Sequence, residues 1–207
     1  MINLLSIILS IPGLFLALSI HEFAHGYAAY LMGDNTAKYN GRLSLNPLAH
    51  LDIAGTLCLL LFHFGWAKPV PINPYNFRDR KWGTIIVSLA GPFANFVLAL
   101  ACTVIYKLLA SFVHMSQIAE FFYMIFVYAS AMNVGLMVFN LIPIPPLDGS
   151  KVLMEFLPDR YRFQMYNIER YSGIILLVLV WTNVLTPVLS TLRNWVYSLI
   201  ELITFFI

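Results

Sequence analysis

The chain has 207 residues, 60% of them hydrophobic and 11% charged, and a mean hydropathy of +0.78. Those values lie far outside an ordinary water-soluble domain and predict an integral membrane protein. A net charge of +2, with no basic run interleaved with aromatics, argues against a nucleic-acid partner. Cys58 and Cys102, without C-x-x-C spacing, read as small core residues rather than ligands or a disulfide.

The first predicted element is a span over Asn3–Leu31, since crossing about 30 Å of hydrocarbon takes roughly 20 residues. Met1 to Leu18 carries no Lys or Arg, and no small-residue cleavage site follows, so a retained span is expected rather than a signal peptide. Inside it stand His21-Glu22-Phe23-Ala24-His25, flanked by LFLALSI and GYAAYLM. A charged residue left unpaired at such depth costs at least about 2.5–3.5 kcal/mol on insertion scales. Two histidines at i and i+4 project from one helix face, so their ring nitrogens can converge on Zn²⁺ at roughly 2.0–2.1 Å. Glu22 is then left beside the metal, where a carboxylate can take the proton of an activated water. A third ligand is required elsewhere.

The chain next makes an excursion from Asn40 to Pro74, rich in turn formers at Gly41, Pro47, Pro69, Pro71 and Pro74. Its apolar stretch Ile53–Gly65 is about 13 residues long, short of the roughly 17–25 a span needs. The expectation is a re-entrant or sheet-like excursion that enters and leaves on one side and walls an aqueous site. Arg42-Leu43-Ser44-Leu45 alternates as a strand would, with an edge that an extended peptide can join.

Further long spans are predicted at Trp82–Leu109, Ile118–Ile142 and Ser172–Leu192. The tail Trp195–Ile207 is left open as an interfacial helix or part of a last hairpin. Lys68, Arg78, Arg80 and Lys81 precede the second span, and Lys151, Arg160, Arg162 and Arg170 follow the third. Two crossings place both clusters on the cytoplasmic side and the Lys107–Gln117 turn on the other. After Phe139-Asn140-Leu141-Ile142, three prolines in four positions break the helix, and Asp148-Gly149 follows. A broken helix lines functional cavities, so Asp148 is expected to complete a two-His, one-acid zinc shell.

With these motifs on the page, the chain resembles the site-2 protease family of intramembrane zinc metalloproteases. HEFAH corresponds to that family's H-E-x-x-H; Asn140, Pro143, Asp148 and Gly149 correspond to N-x-x-P-x-x-x-x-D-G. Ala90-Gly91-Pro92-Phe93-Ala94-Asn95 resembles its A-G-P-x-x-N element, and Gly65-Trp66-Ala67-Lys68-Pro69-Val70-Pro71 looks like a stretch of one branch. The resemblance runs from about Leu16 to Leu153. It implies His21, His25 and Asp148 as metal ligands, one Zn²⁺ per chain, Glu22 as catalytic base, and Asn140 near metal and substrate. It also implies a bare catalytic core without PDZ or CBS domains. Lys151 stands where an arginine is common, which touches no role assigned by the resemblance.

Among the remaining candidates, His50 and Asp52 lie in the excursion; a hydrogen-bonded loop histidine is expected, with partners of the ligands or a ligand in a resting state as the alternative. His63 and His114 are weaker still. Asn95 lies within a span where an amide needs a partner, and is expected to position either the active-site helices or substrate. Phe121, Phe122, Tyr123, Phe126 and Tyr128 read as a packing and lipid-facing surface.

The combined expectation is an all-α polytopic membrane protein with four or more transmembrane helices and a re-entrant, β-like excursion between the first two long spans. Residues 1–207 form one metalloprotease domain, with a core at about 3–153 and C-terminal helices at about 172–207. The expected activity is zinc-dependent intramembrane endoproteolysis within a programme of regulated proteolysis: Glu22 as base, His21, His25 and Asp148 on zinc, and Asn140 and Asn95 at substrate or oxyanion. Partners are the lipid bilayer and a substrate protein with a transmembrane helix, with homo-oligomerisation left open. The site faces the cytoplasmic side of a prokaryotic cell membrane. Two alternatives compete. One is a metal transporter or sensor with the same ligands, disfavoured because it needs a polar route to both faces while the charges cluster on one side. The other is a prenyl-protein or soluble-substrate peptidase, whose zinc acid would come from a helix.

Overall fold

The computed structural model describes residues 4–50, 52, 55 and 68–207. In chain order its helices are α1 (Leu4–Met32), α2 (Thr36–Tyr39), α3 (Pro47–His50), α4 (Arg80–Ala110), α5 (Gln117–Asn140), α6 (Asp148–Met154), α7 (Asp159–Glu169), α8 (Ser172–Trp181) and α9 (Thr186–Ile203). Helices α1, α4 and α5 are long and apolar enough to cross a membrane. The fold is all-helical among the described residues, and the chain is a multi-pass membrane protein.

Polar side chains mark where the helices start. Asp79 precedes α4 and accepts from the Trp82 N–H at 3.0 Å, and Ser116 does the same for α5 with Ile118 at 3.2 Å. Buried cross-contacts fix the directions. Ala17 meets Asn95 and His25 meets Val87, so α4 runs antiparallel to α1. Asn95 meets Asn133 and Thr103 meets Ser130, so α5 runs antiparallel to α4. The ends of α1 and α5 therefore lie with the beginning of α4 at one end of the bundle. Because lipid is as apolar as leucine, close packing and interhelical hydrogen bonds hold such helices together.

The excursion between α1 and α4 begins and ends at that same end. Arg78 N–H donates to the Met32 carbonyl at 2.9 Å. Asp34, fully buried, accepts from Asn73 N–H and the Asn76 amide, each at 2.7 Å, and from Thr36. Burial pushes its carboxyl up, but those hydrogen bonds outweigh it and hold the group below the usual carboxylate range.

The strand expected at Arg42–Leu45 does not form: the segment carries no ladder among the described residues. Facing chain at Pro69 and Pro71 lacks N–H groups, so a ladder has few donors there. A side chain joins the two segments instead. The Arg42 guanidinium donates to the carbonyls of Lys68 at 2.8 Å, Pro69 at 3.3 Å and Ala49. The expected re-entrant stretch Ile53–Gly65 falls, but for Gly55, outside the described residues.

The span expected over Ser172–Leu192 is not one continuous helix. Helices α8 and α9 meet at a break and bend by 84°. Asn183 takes the left-handed conformation, φ 56°, and Pro187 opens the next helix. The tail from Trp195 continues α9, whose Ile200 packs among Ala99, Val134 and Val138. Leu176 of α8 packs on Ile142 and Leu147, buttressing the loop that carries Asp148.

Candidate metal centre

Helix α1 presents His21 and His25 one turn apart toward α4, both buried. Asp148, the first residue of α6, reaches them because Pro143, Pro145 and Pro146 turn the chain back over the end of α5. The turn is tight enough that a Cβ on Gly149 would stand 2.2 Å from the Leu141 carbonyl oxygen. Here glycine is demanded by close approach rather than by its φ freedom.

The three ligand atoms converge. His25 Nε2 lies 3.0 Å from His21 Nε2 and 3.1 Å from Asp148 Oδ2, and His21 Nε2 lies 3.2 Å from Asp148 Oδ2. Ligands at roughly 2.0–2.1 Å from a tetrahedral centre stand about 3.3 Å apart, so the spacing fits a single ion. Among the described residues this is the one group of three or more His, Cys, Asp or Glu side chains so arranged.

The outer nitrogens are occupied in the way a metal site requires. His21 Nδ1–H donates to Asn95 Oδ1 at 2.6 Å, and His25 Nδ1–H donates to the Val87 carbonyl at 2.7 Å. Each leaves an Nε2 lone pair facing the centre. Helix α4 approaches closely here, since a Cβ on Gly91 would stand 2.5 Å from His25 Nε2 and 2.6 Å from His21 Cε1. Burial pushes the Asp148 carboxyl up, but its close contacts with both imidazoles and with the Lys151 ammonium hold it well below the usual range.

A cavity of about 380 Å³ opens on these residues, lined also by Glu22, Val70, Thr84, Ser88, Asn140 and Lys151. Glu22 Oε2 accepts from the Val70 N–H at 2.9 Å, which holds the carboxylate at the cavity wall. Asn140 is half-buried there, with one amide proton given to the Leu136 carbonyl at 3.0 Å. Asn95 is fully buried and does not line the cavity; its contact is with His21.

Other sequence candidates lie apart. His50 is buried at the last position of the short helix α3, and its Nε2–H donates to the Ser44 carbonyl at 2.6 Å. His114 is exposed in a 3₁₀ turn at the far end of the bundle, and His63 is outside the described residues. Asp52 accepts from the Gly55 N–H at 2.8 Å. Sequence reasoning gave no role to three contributors: Lys151, whose ammonium donates to Asp148 Oδ1 at 3.1 Å; Asn133, whose Oδ1 accepts from the Asn95 amide; and the Val70 N–H. Asn133 is an amide within an apolar span, the same signal that singled out Asn95.

A helical membrane bundle with two imidazoles and a carboxylate converging beside a free acid defines a membrane metalloprotease site. Comparison with known proteins agrees. The description of peptidase family M50 matches residues 107–181. YwhC of Bacillus subtilis, provisionally named a zinc metalloprotease, is 38% identical over 200 residues, covering 92% of this chain and 90% of its own. Rip2 of Mycolicibacterium smegmatis, named in the same way, is 31% identical over 202 residues, covering 93% and 71%. The Rip2 of Mycobacterium tuberculosis H37Rv is 27% identical over 199 residues, with the same coverage. No solved structure shows a significant match. The chain belongs to peptidase family M50, the site-2 protease family, and is a zinc metalloprotease.

Proposed function

We propose that this metalloprotease cleaves peptide bonds within or beside transmembrane segments of other proteins, as part of regulated intramembrane proteolysis. The observation that carries the reading is the place of the polar cluster. His21, Glu22 and His25 lie within α1, an apolar span, and they share with Asp148 a cavity lined also by residues at the start of α4 and the end of α5. A water-soluble substrate would not require a site on such a helix.

In this reading His21, His25 and Asp148 hold the zinc. The ion, when bound, supplies Lewis acidity that polarises a carbonyl and makes a neighbouring water more acidic. Glu22 takes a proton from the attacking water and returns it to the leaving amine. The Val70 N–H steadies the Glu22 carboxylate for both transfers. Asn140 has an amide proton left beyond its bond to Leu136 and offers it to the substrate carbonyl or backbone. A helical substrate hides its carbonyls in its own hydrogen bonds, so it must unwind before it can present one. The basic residues around the cavity end support a site that faces the cytoplasm.

Co-expression with candidate single-span substrates tests the reading. Glu22→Gln is expected to lower cleavage by about 10²–10⁴-fold while about one zinc per chain stays bound. Loss of the zinc with the activity would make Glu22 a ligand and sink the assignment. Cleavage of soluble domains alone would sink the intramembrane substrate class.

A further inference from the structure

Asn133 sits in α5, fully buried in an apolar bundle, and is not among the residues that line the catalytic cavity. Its hydrogen bonds nevertheless lead to a metal-facing histidine. Asn133 Nδ2–H donates to the Ala129 carbonyl at 2.8 Å, and Asn133 Oδ1 accepts from Asn95 Nδ2–H at 2.9 Å. Asn95 Nδ2 also donates to the Ala17 carbonyl at 3.0 Å, and Asn95 Oδ1 accepts from His21 Nδ1–H at 2.6 Å.

Two backbone carbonyls, Ala129 at the far end and Ala17 beside Asn95, set the direction of this chain. An amide can face a neighbour with either its oxygen or its nitrogen, and only the surrounding network decides which. A backbone carbonyl can only accept. Ala129 therefore fixes the Asn133 nitrogen on its own helix, which turns the Asn133 oxygen toward Asn95. Asn95 must then present its nitrogen to Asn133 and Ala17 and its oxygen to His21. That oxygen demands a proton on Nδ1, so the lone pair of His21 lies on Nε2, facing the centre. His25 reaches the same state in one step from the Val87 carbonyl. Where α1 draws on a backbone acceptor for one ring, it draws on two side-chain amides from α4 and α5 for the other.

We propose that Asn133 is a positioning residue for the zinc centre: acting through Asn95, it fixes the orientation and tautomer of His21. The inference rests on the reading of His21 as a zinc ligand. If Asn133 served only to hold α5 against α4, its removal would lower the melting temperature and leave both metal affinity and the histidine proton unchanged. If it orients His21, replacing it with an apolar residue leaves one Asn95 N–H without an acceptor, so the Ala17 carbonyl alone holds the amide and it is freer to turn its nitrogen toward the ring.

The full chain, purified in detergent micelles with ¹⁵N-labelled histidine, tests this with zinc itself as the probe. In Asn133→Leu the zinc dissociation constant, read by chelator competition, is expected to rise about tenfold, in line with losses of partners that orient ligands. The slowly exchanging His21 Nδ1–H resonance of the zinc-loaded protein is expected to shift and exchange faster. Asn133→Asp should restore both, because a neutral carboxyl can donate to Ala129 and accept from Asn95 in the same sense. Wild-type affinity with an unmoved resonance in Asn133→Leu overturns the proposal, as does an Asn133→Asp protein no better than Asn133→Leu. Should Asn133→Leu not fold, wild type decides: zinc-loaded protein lacking a protected Nδ1–H at His21 overturns it. A His21→Ala control keeps the two layers apart, since unchanged zinc affinity there removes the ligand reading itself.

Discussion

Each imidazole at the centre has one nitrogen committed to a fixed acceptor and the other aimed at Asp148, so the proposed ligand set is oriented by the protein's own hydrogen bonds. Losing a proposed ligand should therefore cost more than losing a group that merely orients one. Asp148→Ala is expected to weaken zinc binding by more than the roughly 10–100-fold typical of outer partners, and to lower activity with it. His50→Ala and His114→Ala should leave zinc content near wild type, because neither side chain approaches the centre. Metal analysis of the purified variants checks all three, and a His50→Ala protein stripped of metal would refute the set. His21, Glu22, His25 and Asp148 stood out in the sequence because ionisable groups in apolar or proline-broken segments need a reason to be there. Lys151 did not, since a lysine next to a helix start is ordinary until its ammonium is seen 3.1 Å from Asp148 Oδ1.

Helix α4 meets α1 through Gly91, and the contact leaves no room for even a methyl group. Both rings in its path are anchored at Nδ1, so they cannot swing aside without breaking those bonds. Alanine favours a helix interior over glycine by about 1 kcal/mol, yet Gly91→Ala is expected to abolish zinc binding while the helices persist. Circular dichroism beside metal analysis separates the two effects; retained zinc in a folded Gly91→Ala protein would contradict the contact. The latch at Asp34 offers a second test at this scale. Its carboxyl is held below the unperturbed value of about 3.9, so its stabilisation is complete above that pH and fades as pH falls through the lower folded value. Wild type should therefore be more stable than Asp34→Asn near neutrality, with the gap closing below about pH 3.9. A gap that persists unchanged in acid would mean that the charge of Asp34 is immaterial. The long helices were legible from apolar length alone. The Arg42–Leu45 strand was misjudged because alternation says nothing about whether the facing chain has donors, and prolines had removed them. The break between α8 and α9 was missed because a hydropathy window does not register one left-handed asparagine.

Across the whole molecule, one topological fact carries the composite site: α1 and α5 run the same way, so the histidines and the Asp148 loop meet at one end. The sequence made this legible through charge, since basic clusters before α4 and after α5 demand an even number of crossings between them. The same end holds the Tyr75 turn and the start of α7, whereas His114 lies at the opposite end, between α4 and α5. Each basic residue near an anionic leaflet contributes about 1 kcal/mol toward the cytoplasmic side, so the clusters should orient the bundle strongly. Single cysteines replacing Tyr75 and Asp159, in a chain lacking Cys58 and Cys102, should react with a membrane-impermeant thiol reagent only from the cytoplasmic face. One replacing His114 should react only from the other. All three of these side chains are exposed, so access depends on the side of the membrane rather than on burial. Labelling of Tyr75 and Asp159 sites from opposite faces would place His25 and Asp148 across the bilayer from one another and remove the shared metal centre. Labelling of both from the outer face would keep the centre and reverse its proposed orientation.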